Sequence, residues 1–107
     1  MASFYKNVKV DLTTTDITTL YTAPAATTAV FKSLLVADDS GSTSTITVTL
    51  TDSASAIFVV YKVLATGANE TAELLTQPLV IQESEVLKVT AANANRLHVI
   101  GSYLEIT

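Results

Sequence analysis

Thr43-Ser44-Thr45-Ile46-Thr47-Val48-Thr49-Leu50-Thr51-Asp52 decides the fold class. Ile46, Val48 and Leu50 alternate with Thr45, Thr47, Thr49 and Thr51, so an extended chain sends apolar and polar side chains to opposite faces. A helix, at about 3.6 residues per turn, scatters the same side chains around its circumference. Nearly every residue is β-branched, which suits a pleated surface. The segment reads as a strand with one face for a core and one for water.

Working outward, turn signals punctuate the chain on both sides. Asp38-Asp39-Ser40-Gly41-Ser42 reads as a hairpin loop from a strand over residues 28–37 into the Thr-rich strand. Asp52-Ser53-Ala54-Ser55 turns into a strongly β-prone run over 57–64. Upstream, 4–12 reads as an edge strand and 17–22 as a short second one, broken by Pro24, which cannot donate to a ladder. Downstream, short extended segments over 71–75, 78–81, 85–91 and 97–106 are separated by turn residues such as Gln82-Glu83-Ser84 and Asn93-Ala94-Asn95. At most one helical turn fits within 65–75, where Gly67 and Asn69 oppose it. Eight or nine short strands predict a single antiparallel β-sandwich over 1–107, jelly-roll-like or immunoglobulin-like.

Composition excludes several functions. Apolar residues make up 49% of the 107 and charged residues only 15%, the opposite of a disordered chain. The net charge is −4 and the six Lys and Arg are scattered singly, so no basic patch is expected and no nucleic-acid partner. Cysteine is absent, which removes disulfides and thiolate metal sites. The N-terminal residues lack an apolar core of signal-peptide length. The apolar run over 56–65 is too short for a membrane span and contains Lys62, so no membrane association is expected.

Three strands are apolar on both faces. Over 57–64, Ile57, Val59, Tyr61 and Val63 oppose Phe58, Val60 and Leu64, interrupted by Lys62. Over 97–106, Leu97, Val99 and Tyr103 oppose Ile100, Leu104 and Ile106; over 28–37, Val30, Leu34 and Val36 oppose Phe31 and Leu35. A sandwich buries one face per sheet, so the second face needs cover from loops or from another chain. Subunit contact is expected, with Phe58, Val60 and Leu64 as the oligomer interface because Lys62 marks their face as the outer one. A homotrimer is the first expectation for that assembly, since a closed ring removes the patch from water.

No catalytic constellation is visible, and neither a cofactor nor a metal is expected. His98 is the single histidine and sits among apolar neighbours, as a half-buried structural residue does. Serines are plentiful, but no nucleophile-elbow pattern surrounds one. Asp38 and Asp39 with Asp52 form a weak calcium candidate, and they suit turn formation better. Glu83 and Glu85 flank a turn, and Asn69-Glu70-Thr71 matches a glycosylation acceptor by chance. Tyr5, Tyr21, Tyr61 and Tyr103 suit core or interface packing better than a sugar platform.

Two stretches carry a likeness to a known group. Leu20-Tyr21-Thr22-Ala23-Pro24 followed by Ala29-Val30-Phe31-Lys32-Ser33-Leu34-Leu35-Val36-Ala37-Asp38 is one. Pro78-Leu79-Val80-Ile81-Gln82-Glu83-Ser84-Glu85-Val86-Leu87-Lys88-Val89, ending at Ser102-Tyr103-Leu104-Glu105-Ile106, is the other. Together they resemble the small β-sandwich virion proteins of tailed bacteriophages, which decorate or cement capsids or sit in necks, tails and fibres. The resemblance implies a non-enzymatic virion protein made in the host cytoplasm, whose partners are its own copies and the major capsid protein. It implies no active site. A neck, tail or fibre component is the nearest alternative. A carbohydrate-binding adhesion module, which needs exposed aromatics on one face or rim, is the rival.

Overall fold

A computed structural model describes residues 2–38, 40–66 and 68–107, without the side chains of 63–66. The strands are β1 (Ser3–Leu12), β2 (Thr18–Thr22), β3 (Thr28–Asp38), β4 (Ser44–Thr51), β5 (Ile57–Thr66), β6 (Thr71–Glu73), β7 (Leu79–Ile81), β8 (Val86–Ala91) and β9 (Leu97–Ile106). No helix occurs among the described residues. A five-stranded sheet runs β1-β9-β3-β6, with β7 also on β3; a four-stranded sheet runs β2-β8-β4-β5. All pairings are antiparallel. β1 pairs β9, β2 pairs β8, β3 pairs β6 and β7, and β4 pairs β5, which nests the first half of the chain on the second. That is jelly-roll order, and it decides between the two sandwich types expected.

The Thr-rich strand behaves as its pattern requires. Ile46 and Val48 of β4 are buried beside Ala91 and Val89 of β8, while Thr45, Thr47, Thr49 and Thr51 face outward, half-buried by their neighbours. In β9 the expected division also holds: Leu97, Val99 and Tyr103 are buried, and Ile100, Leu104 and Ile106 lie on the other face.

The segment over 38–42 is not a hairpin within one sheet. β3 belongs to the five-stranded sheet and β4 to the four-stranded one, so the loop crosses the sandwich. Its turn chemistry reverses the chain but cannot specify the partner. The tight hairpin lies one connection later, where Ser55 donates its N–H to the Asp52 carbonyl and Asp52 Oδ1 accepts from the Ala54 and Ala56 amides.

Bulges correct the alternation in two strands. In β3 the register shifts between Phe31 and Ser33, so Phe31, Leu34 and Val36 all reach the core. Val30 and Leu35 turn outward instead, which strict period-2 counting does not give. In β5 the register against β4 shifts twice, between Ile46 and Val48 and again between Val48 and Thr49. Tyr61 therefore stands opposite Val48 and Phe58 opposite Leu50, with Val60 as the extra residue between.

Candidate functional site

β5 closes one edge of the four-stranded sheet, and no strand pairs with its free side among the described residues. Ile57, Phe58 and Val59 are 66%, 57% and 56% exposed there, three consecutive apolar side chains in water. From Ala54 to Tyr61 the edge carries no charge; Lys62 is the first. Edge strands of this kind are usually blunted by charge, and the two bulges of β5 supply part of that protection.

Two of the three expected interface residues differ in exposure. Phe58 is exposed, but Val60 is half-buried and packs on the core with Tyr61. The side chain of Leu64 lies outside the described residues. Ile57, Phe58 and Val59 are exposed along the free edge, with Ile57 and Val59 beside Thr51 and Thr49 of the outer face and Phe58 beside Leu50.

The candidate chemical residues are dispersed. His98 lies half-exposed on the outer face of β9, with Nε2 3.3 Å from Asp11 Oδ1. Asp38 is buried, and its Oδ1 accepts from Ser40 N–H and Oγ–H. Asp52 caps the hairpin at the opposite end of β4, and Asp39 lies outside the described residues. No group of three His, Asp or Glu that could hold a metal ion occurs among the described residues. Glu83 Oε1 accepts from the Ala26 amide and Glu85 Oε1 from the Gln82 amide, so both carboxylates tie down turns.

Of the four tyrosines, Tyr21 and Tyr103 are core residues and Tyr61 is half-buried, while Tyr5 is 80% exposed on the outer face of β1. Tyr103 stacks on Phe31 at a ring-centroid distance of 4.8 Å, and Tyr21 meets Phe31 edge-on at 5.3 Å. Against this cluster lies a polar group that periodicity alone could not reveal. Glu105, nearly buried, accepts from Tyr21 Oη at 2.7 Å and from Lys6 Nζ at 2.9 Å. The hydrogen bonds from Lys6 and then Tyr21 hold the carboxyl below its ordinary pKa. Desolvation, then the Glu105 hydrogen bond, raises the Tyr21 hydroxyl. The only sequence signal was a glutamate at an inward-facing position of a strand.

This arrangement offers buried structural polarity and exposed apolar edges. No family model matches the sequence, and no match to a curated protein was found.

Proposed function

We propose that this is a structural, non-enzymatic protein of a tailed-phage virion: an oligomeric decoration or cement protein that binds the capsid shell. The observation carrying this reading is the free edge of β5, where Ile57, Phe58 and Val59 stand in water. A domain working alone gains nothing from three such residues on an unpaired edge, whereas burying a side chain of this size contributes roughly 1.5–3 kcal/mol. Attachment only to the assembled shell adds that free energy to the assembled state. The likeness of residues 20–38 and 78–106 to phage virion proteins supports the same reading.

The contact with its own copies is centred on Phe58, in a closed ring of three. Mass spectrometry of purified virions tests the assignment. Many copies per particle, lost with Phe58→Asp, fit a decoration protein. A few copies assign the chain to neck, tail or fibre, and its absence from particles ends the virion reading.

A further inference from the structure

We infer that the outer face of the five-stranded sheet packs against the same face of a second copy of this chain. The two-fold axis runs along the strands, between β9 and β3. This surface is distinct from β5, and the inference stands whether or not the chain belongs to a virion.

Cross-strand register builds the argument. Tyr5 stands opposite Leu104, Leu104 opposite Val30, and Val30 opposite Val80. These four side chains make one apolar row across β1, β9, β3 and β7. Its ends are open to water, Tyr5 at 80% and Val80 at 48% exposure. Four residues along β9, a second row reads Lys9, Ile100, Leu35 and Glu73 across β1, β9, β3 and β6. Its centre is apolar, and its ends carry opposite charges.

A two-fold along the strands reverses strand order and keeps each row at its own height. Leu104 then meets Val30 of the second copy, and Tyr5 meets Val80. Ile100 meets Leu35, while Lys9 meets Glu73 twice, once from each copy. The intervening row of Asn7, Ser102 and Ser33 carries one charge, the exposed Lys32 at the β3 bulge, and in the last row Asp11 meets Thr71 while His98 meets Ala37. Apart from Lys32, whose two copies lie at one height on either side of the axis, no row sets a charge against its own sign, so this face is largely complementary to itself, as an isologous contact requires. On β4 and β8 the opposite outer face of the sandwich presents Thr45, Thr47, Thr49 and Thr90, which suits hydration.

Four strand positions at about 4.8 Å and four rows at about 6.8 Å cover roughly 500 Å² per copy. Roughly 1,000 Å² in total is at the lower bound for a specific interface, so the dimer is concentration-dependent rather than obligate. Facing sheets in this aligned sense pack at a small angle, which keeps the row ends within side-chain reach.

Sedimentation equilibrium in the Phe58→Asp background tests the contact with the β5 patch removed. The expected result is a monomer–dimer equilibrium in the micromolar to submillimolar range. Lys9→Glu and Glu73→Lys should each weaken it about tenfold by opposing like charges, and the two together should restore it. Because Glu73 Oε2 also accepts from the Leu34 amide, a second pair avoids that residue. Tyr5→Asp should abolish dimerisation, and Tyr5→Asp with Val80→Arg should recover it. A chain monomeric throughout, or failure of both double variants to recover, overturns the inference. If the chain is monomeric and Tyr5→Asp also abolishes virion attachment, the face belongs to the shell instead.

Discussion

The hydroxyl of Tyr21 donates a 2.7 Å hydrogen bond to Glu105 Oε2, joining the two sheets through a nearly buried carboxylate. Lys6 holds the other carboxylate oxygen from β1, so three strands meet at one charge. Tyr21→Phe removes the donor while the carboxylate stays buried. Urea unfolding should show a loss of about 1.5–3 kcal/mol, the range for a hydrogen bond to a charged group.

The same carboxylate gives stability a pH dependence. Its folded pKa is depressed below the ordinary 4.5, so its contribution is fully present above that value and lost as pH falls through the folded pKa. Melting temperatures across this range should show Glu105→Gln less stable than wild type near neutrality, with the gap closing in acid. A gap that stays constant with pH excludes the linkage. Lys6→Met should move the acid limb to higher pH, because Lys6 is the larger cause of the depression.

Gly101 faces the core opposite Val8 and Leu34. A Cβ there would lie 2.7 Å from Phe31 Cε2, and Phe31 stacks on Tyr103 at 14° between rings with Tyr21 at its edge. The ring has little room to yield, so Gly101→Ala should cost about 1–3 kcal/mol by overpacking. Combined with Phe31→Leu the loss should be less than additive, which a denaturation cycle would measure.

Ser55 closes the 52–56 hairpin with φ at 68°, a left-handed conformation that favours glycine. Ser55→Gly relieves the strain but enlarges the unfolded ensemble, so a net gain of about 0.5 kcal/mol is expected. A lower melting temperature would show that the Ser55 side chain contributes more than its conformation costs.

Val60 and Phe58 separate folding from association. Val60 packs on the core, so Val60→Asp should destabilise the fold by about 2 kcal/mol or more. Phe58 is exposed, so Phe58→Asp should leave the melting temperature nearly unchanged. Equal losses in the two variants would show that Val60 does not pack on the core.

The local chemistry of the chain was enough to determine the strands. Alternation over 45–51, the residues between strands and the apolar composition specified nine extended segments in one all-β sandwich, because side-chain period and turn propensity act within a few residues. Only tertiary structure decided that the 38–42 loop crosses between sheets, since a loop's residues fix its reversal and not the strand it delivers. It also decided the faces of β3 and β5. One extra residue at a bulge inverts every later side chain, and whether a bulge forms depends on the strand opposite. The alternation that linked Phe58 and Val60 in the sequence is interrupted by the register shift at Val60. The Tyr21–Glu105–Lys6 group and the row from Tyr5 to Val80 join residues far apart in sequence, so pairing register alone brings them together.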